Sequence, residues 1–132
     1  MRRHAGLAFL SLLLACGTSR SLDTGTATHL VAAYLQPYRI TGLTLQSLTR
    51  SQSPFPEGYL AVVGFTIPFE DGQKVAFKDQ PIYITFNEVS RGFEVNRQVT
   101  TVAQSVDGAI GLHKTGQYLK SHPYNPAPWT KP

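Results

Sequence analysis

The sequence predicts an all-β fold, a single small β-sandwich of immunoglobulin-like or transthyretin-like type over residues 29–120. In residues 59–69 every second side chain from Ala61 to Phe69 is apolar, and the side chains between them include Gly64, Thr66 and Pro68. This alternation is typical of a half-buried strand. Two Asp-Gly dipeptides, at 71–72 and 107–108, are signals for tight turns between antiparallel strands. About seven short strand-like segments follow one another without a convincing long helix, which favours a sandwich. An open barrel is the alternative arrangement.

The predicted strands are rich in β-branched and aromatic residues, which fit a pleated, half-buried surface. We expect strands near residues 43–46, 59–69, 74–77 and 82–86, one or two within 93–105, and a closing hairpin formed by 109–112 and 117–120. The side chains expected to face the core in the two clearest strands are Ala61, Val63, Phe65, Ile67, Phe69, Ile82, Ile84 and Phe86.

The bulk composition is that of one folded domain. The chain has 132 residues, of which 42% are hydrophobic and 15% are charged, and this apolar fraction is enough for a packed core. Arg2 and Arg3 belong to an N-terminal segment with the features of a cleaved export signal. Without them, ten of the twelve Lys and Arg residues remain against eight acidic ones. These charges are scattered singly, without the basic run that follows a phosphate backbone. We therefore expect no nucleic-acid partner.

The first fifteen residues have the layout of a signal peptide. Arg2 and Arg3 form a basic head, and residues 5–15 form an apolar run interrupted only by Gly6 and Ser11. A permanent membrane-spanning helix needs about 20 apolar residues, so this run is too short for one. Its length suits the apolar region of an export signal.

The signal ends at the only cysteine of the chain. Residues 13–16 read Leu-Leu-Ala-Cys and resemble the lipobox of bacterial lipoproteins, with a larger residue than usual at position −2. The resemblance implies a diacylglyceryl group on the Cys16 thiol and cleavage before Cys16. Gly17 is not the aspartate that retains such proteins at the inner membrane, so the resemblance implies an outer-membrane protein facing the periplasm. Two or more acyl chains anchor a protein stably.

A tether and a tail are expected to flank the sandwich domain, which itself begins with a short helix. Residues 16–28 comprise the lipidated Cys16 and a small, polar stretch that we interpret as a flexible tether. Residues 29–36 predict a short helix with Leu30, Ala33 and Tyr34 on one face, ended by a proline. Residues 121–132 contain four prolines and predict an extended tail. The tail either docks a partner through its tryptophan or folds back onto the domain.

The order of the turn and strand motifs carries a second resemblance. The motifs are Asp-Gly-Gln-Lys-Val at 71–75, Pro-Ile-Tyr-Ile-Thr-Phe at 81–86, Asp-Gly-Ala-Ile at 107–110 and Thr-Gly-Gln-Tyr at 115–118. Over residues 43–120 they resemble a bacterial immunoglobulin-like module of the invasin/intimin type, although Ser105 and Val106 stand where that family has Thr-Asp. The resemblance implies an architecture and no catalytic residues.

No motif in the sequence indicates an enzyme. The histidines of the mature chain, His29, His113 and His122, lack metal-ligand spacing, and no nucleophile elbow or phosphate-binding loop occurs. We expect no catalytic residues, no metal ligands and no cofactor. We expect a membrane-anchored accessory subunit of an envelope secretion or assembly complex, with a periplasmic or outer-membrane protein as its partner.

The alternative is a ligand-binding or inhibitor lipoprotein that recognises a glycan or a foreign enzyme. It requires exposed aromatic rings on one surface, because such rings anchor interfaces. The aromatic residues proposed for partner binding under either hypothesis are Tyr83, Tyr118, Tyr124 and Trp129.

Overall fold

A four-stranded antiparallel sheet backed by two helices forms the domain. The computed structural model describes residues 20–51 and 57–122. The elements in chain order are helix α1 (Thr24–Leu35), a 3-10 turn (Gln36–Tyr38), strands β1 (Thr41–Ser51), β2 (Gly58–Pro68), β3 (Lys74–Asn87) and β4 (Gly92–Val95), and helix α2 (Val102–Ser121). The sheet has the order β1-β2-β3-β4, so each strand pairs with the next one along the chain.

The core lies between one face of the sheet and the two helices. Every second residue of β2 from Tyr59 to Ile67 is buried, and on its other face Leu60, Val62 and Thr66 are half-buried. The predicted inward side chains of β2 and β3 are confirmed, except that Phe69 and Phe86 are only half-buried. The fully or nearly buried members are Ala61, Val63, Phe65, Ile67, Ile82 and Ile84. They pack with buried residues of α1 and α2 in one continuous cluster.

Strand β3 is one long strand where the sequence predicts two. The segment at 78–81, predicted to be a turn, contains a β-bulge at which the pairing register with β2 shifts by one residue. Asp79 has a positive φ of 55° there, which a short polar side chain tolerates. The turn chemistry of the sequence therefore marks an irregularity within a strand and not the end of one.

Helix α1 begins earlier than predicted, inside the segment interpreted as a tether. Ala27 and Val31 are fully buried, and Tyr34 and Leu35 continue the same stripe at helical spacing. The predicted face was partly wrong, since Ala33 is exposed. The folded domain therefore includes residues 20–28, and the lower helix propensity of Thr and Gly in this stretch is overridden by burial against the sheet.

The residues before α1 are fixed to one end of the sheet by Tyr59. The Tyr59 hydroxyl donates to the Arg20 carbonyl at 3.1 Å and accepts a hydrogen bond from the Leu22 amide at 3.2 Å. The Arg50 guanidinium donates to the Tyr59 hydroxyl at 2.7 Å and to the Arg20 carbonyl at 3.0 Å. We call this end, where β1 meets β2 and β3 meets β4, the proximal end.

The Arg20 side chain extends the same attachment across the sheet. Its guanidinium lies 4.1 Å from the centre of the Phe86 ring and 2.6 Å from a Glu57 carboxylate oxygen. A second carboxylate, that of Glu88, lies 3.7 Å away. Because these partners come from two separate segments, one before β2 and one at the end of β3, Arg20 is held at a defined point of the proximal end.

Helix α2 occupies the segment in which the sequence predicts the last strands and the second Asp-Gly turn. The predicted strands at 109–112 and 117–120 were wrong, and so was the prediction of an all-β chain. Val102, Val106 and Ile110 recur every four residues, which is a helical period, and the Ser105 amide donates to the Thr101 carbonyl as the helix begins. Among the described residues there is one sheet and not the two facing sheets of a sandwich. Neither described helix is both long enough and apolar enough to cross a membrane.

Candidate ligand cleft

A cleft opens at the end of the sheet opposite to the proximal end, where β1 begins and β2 turns into β3. We call this the distal end, and the opening the distal cleft. Its volume is about 430 Å³, and three segments line it: the 3-10 turn, the β2–β3 turn and the middle of α2. The lining residues are Pro37, Tyr38, Arg39, Pro68, Phe69, Glu70, Ile110, His113, Lys114 and Gln117.

Two tight turns hold the walls of the distal cleft. Pro37 starts the 3-10 turn, and Arg39 follows it with a φ of 55°, so the chain reverses at once into β1. On the other wall the Phe69 amide donates to the Gln73 carbonyl at 2.7 Å, and Gly72 has a φ of 87° that favours glycine. The short connections fix Arg39 and Phe69 on facing sides of the opening.

Asp71 joins the β2–β3 turn to helix α2. One carboxylate oxygen of Asp71 lies 2.8 Å from His113 Nε2 and accepts a hydrogen bond from Gln117 Nε2 at 2.5 Å. The His113 ring also packs on Phe69, with 4.2 Å between ring centres. Donation from the Gln73 amide, and then the contact with His113, hold the pKa of Asp71 below its usual value. Asp71 therefore keeps the turn and the helix together as an anion.

Tyr38 joins the 3-10 turn to helix α2 from the other side. Its hydroxyl donates to the Asp107 carboxylate at 2.9 Å and lies 3.4 Å from the Ala103 carbonyl oxygen. Partial burial, together with the neighbouring Asp107 anion, raises the pKa of Tyr38 to about 12. Burial and the Asp107 carboxylate both disfavour the phenolate form of Tyr38.

The raised pKa of Tyr38 predicts a loss of stability at high pH. The unfolded chain releases the phenol proton near pH 10, whereas the folded chain holds it until about pH 12. The contribution of Tyr38 to stability is therefore complete below pH 10 and is lost as the pH rises towards 12. Urea unfolding at pH 9 and pH 11 measures it, and Tyr38→Phe should lose less stability between the two pH values than the parent does. Equal losses would contradict the assignment.

The electrostatics of the distal cleft favour a ligand that carries negative charge. Neither Arg39 nor Lys114 has an ion-pair partner within residues 20–51 and 57–122, whereas the carboxylate of Asp71 is already held by His113 and Gln117. Glu70, on the rim, is the one acidic side chain among the lining residues. The cleft thus offers two free cations beside apolar walls, which suits an acidic group attached to an apolar body.

The described part of the chain offers no site for a metal ion. No group of three or more His, Cys, Asp or Glu side chains comes close enough together there to hold one. The acidic residues of the two Asp-Gly dipeptides have different partners, since Asp71 contacts His113 and Asp107 contacts Tyr38.

The aromatic residues proposed from the sequence do not meet in this cleft. Cys16, Tyr124 and Trp129 lie outside the described residues. Tyr83 is half-buried in β3, where its backbone amide donates to the Thr100 hydroxyl at 3.0 Å.

Tyr118 lies far along α2 from the strand that carries Tyr83. It is 59% exposed and stacks on His122 with 4.1 Å between ring centres. Thr100, which contacts Tyr83, lies just before the start of α2, and Tyr118 lies near the end of that helix. At a helical rise of about 1.5 Å per residue, Tyr118 is roughly 25 Å from Tyr83. Tyr83 and Tyr118 therefore do not form one aromatic surface.

None of the lining residues of the distal cleft was predicted from the sequence to bind a ligand or partner. Ile110, His113 and Gln117 share one face of α2 at spacings of three and four residues, a signal that a helical interpretation of 102–121 would have contained. Arg39 and Phe69 come from turns 30 residues apart, and no local pattern connects them. Their meeting depends on the antiparallel pairing of β1 with β2.

Comparisons with known proteins do not assign the chain to a family. No family model matches it, no curated protein matches it, and no solved structure matches it.

Proposed function

We propose that the protein is a lipid-anchored lipoprotein of the bacterial envelope, at the outer membrane and facing the periplasm. In this proposal it is a non-catalytic accessory subunit of a secretion or assembly complex. It binds an acidic segment of a protein partner in the distal cleft. The observation that carries the proposal is the opposite placement of the chain's entry point and the distal cleft.

The sheet separates the entry point of the chain from the cleft. Arg20 lies at the proximal end, while Arg39, Phe69 and His113 meet at the distal end. Strand β2 runs between the two ends, and its 11 residues span roughly 33 Å at about 3.3 Å per residue. A lipid on Cys16 would therefore hold the domain by one end and leave the cleft at the other. This supports a partner that approaches from the aqueous compartment.

The chemistry of the cleft supports an acidic peptide segment as the occupant. Arg39 and Lys114 are free to pair with carboxylates, and the Phe69 and Ile110 side chains provide an apolar surface between them. An extended segment with an acidic residue next to an apolar one would use both features. Such rim charges steer a partner and fix its orientation.

Site-specific photo-crosslinking in cells tests the proposal. A photoreactive phenylalanine analogue at Lys114, in the cleft, should yield discrete adducts with a protein partner. The matched control is the same analogue at Lys120, which is exposed on the same helix and does not line the cleft.

The two positions make the proposal falsifiable. Arg39→Glu should abolish the adduct at Lys114, because it replaces a free cation on the opposite wall with a repelling charge. Equal adducts at Lys114 and Lys120, or adducts that survive Arg39→Glu, would count against the distal cleft as the docking site. A lack of any adduct at Lys114 would remove the proposed partner.

A further inference from the structure

We infer that the β3–β4 turn contacts the surface of the phospholipid bilayer, with Val89 in the interfacial layer. The inference rests on the proposed lipid anchor at Cys16. It adds an orientation to that anchor, because it states which end of the domain faces the membrane and which side chain touches it.

The tether between the proposed lipid and the folded domain is short. The sequence predicts a tether through residue 28, but the chain is already fixed to the proximal end at Arg20 by the contacts of its carbonyl and guanidinium. Residues 17–19 alone then separate Cys16 from Arg20. Four peptide steps reach at most about 14 Å when fully extended. The lipid therefore holds the proximal end within about 14 Å of the bilayer surface.

The proximal end carries an exposed apolar side chain. Val89 is 93% exposed at the tip of the β3–β4 turn. It directly follows Glu88, whose carboxylate lies 3.7 Å from the Arg20 guanidinium. A bare apolar side chain thus lies beside the point at which the chain leaves for the lipid.

The turn that carries Val89 is held by defined hydrogen bonds. The Asn87 side-chain oxygen accepts hydrogen bonds from the Val89 amide at 2.8 Å and the Ser90 amide at 3.1 Å. The Arg91 amide donates to the Asn87 carbonyl at 2.8 Å. The backbone that presents the exposed Val89 side chain is therefore fixed.

The charges around the turn permit contact with a negatively charged surface. Arg91 lies 3.6 Å from Glu88, and Arg20 lies between Glu57 and Glu88, so the acidic side chains near the tip face arginines. Glu94 is the exception, since its carboxylate accepts a hydrogen bond from the Asn87 side chain. Pairing of Glu57 and Glu88 with arginines reduces repulsion from anionic headgroups, so that Val89 can enter the interface where apolar side chains of peripheral proteins lie.

The other exposed apolar side chains of the described residues lie elsewhere. Leu112 is exposed on α2 between the cleft-lining residues Ile110 and His113, and Tyr118 and Leu119 lie further along the same helix. They cannot reach a bilayer that holds the proximal end. Leu112, which is 76% exposed, therefore serves as a matched control for Val89.

The test uses the full-length lipidated protein, purified from bacterial membranes and reconstituted into vesicles of phosphatidylethanolamine and phosphatidylglycerol. In the mature protein the lipid occupies the Cys16 thiol, so Val89→Cys introduces the single free thiol for an environment-sensitive fluorophore. Nitroxide groups on the lipids should quench the label at position 89 by about half, with a blue-shifted emission, because interfacial side chains sit at the headgroup boundary. The same label on Leu112→Cys should be unaffected.

The failures of the inference and of the anchor are distinguishable in this experiment. Protein that stays on the vesicles without quenching at position 89 overturns the membrane contact and leaves the anchor standing. Equal quenching at 89 and 112 overturns the orientation. Protein that does not stay on the vesicles, or that labels at Cys16 without any added cysteine, overturns the proposed anchor and the inference with it.

Discussion

Replacing Ala27 with glutamate is expected to lower the free energy of unfolding by about 3–5 kcal/mol. Ala27 is fully buried against the sheet in the first part of helix α1. A glutamate there would bring a charge without a partner into the core and would also exceed the available space. The effect is measured as the shift of the urea midpoint by circular dichroism, on mature protein carrying Cys16→Ser.

The matched control for this variant is His29→Glu. His29 lies two residues further along the same helix and is exposed, so its replacement should change the stability by no more than about 0.5 kcal/mol. If residues 16–28 were a tether, Ala27→Glu would be as harmless as the control. The pair therefore decides whether residue 27 belongs to the folded domain, which the short tether of the membrane inference requires.

The strand character of β2 and of parts of β3 could be predicted from the sequence because its information is local. In β2 the alternation of apolar side chains directly records which face is buried, and Ile82 and Ile84 repeat it in β3. Each of these residues is buried by contact with paired neighbours on the same face. A period of two is therefore sufficient to identify both the strands and their inward side chains.

Helix α2 could not be predicted in the same way because tertiary contacts stabilise it. Three glycines and an Asp-Gly dipeptide favour turns locally, whereas the helix is held by groups distant in the chain. The Ala103 amide donates to the Tyr34 hydroxyl at 3.2 Å, and Asp107 accepts from Tyr38. These partners are far from α2 in the sequence, so a prediction from neighbouring residues does not include them. The local turn signals therefore led to the wrong prediction of strands.

The distal cleft was missed as a consequence of that error. One of its walls is the face of α2 that carries Ile110, His113 and Lys114, and this face exists only when residues 102–121 are helical. With two strands there, His113 and Gln117 would have no common direction, and their joint contact with Asp71 could not be anticipated. Predicting the cleft therefore needed the helix first.

Replacing all three glycines of α2 with alanine is expected to raise the free energy of unfolding by about 2 kcal/mol, because each glycine inside a helix costs about 0.5–1 kcal/mol relative to alanine. An added Cβ at Gly108, Gly111 or Gly116 meets no other atom within 4 Å. The substitutions therefore add helix propensity without a steric cost. The urea midpoint of the triple variant should rise, with an unchanged slope of the transition.

The same substitution at Gly42 should have the opposite sign. A Cβ there also meets nothing within 4 Å, but Gly42 has a φ of 65°, which alanine adopts only with strain. Gly42→Ala should therefore lower the stability by about 1 kcal/mol. If Gly108 occupied the predicted Asp-Gly turn with a positive φ, Gly108→Ala alone would also be destabilising. The change in stability should therefore have opposite signs at Gly42 and Gly108. An added Cβ has free space at both positions, but Gly108 has helical backbone and Gly42 has a positive φ.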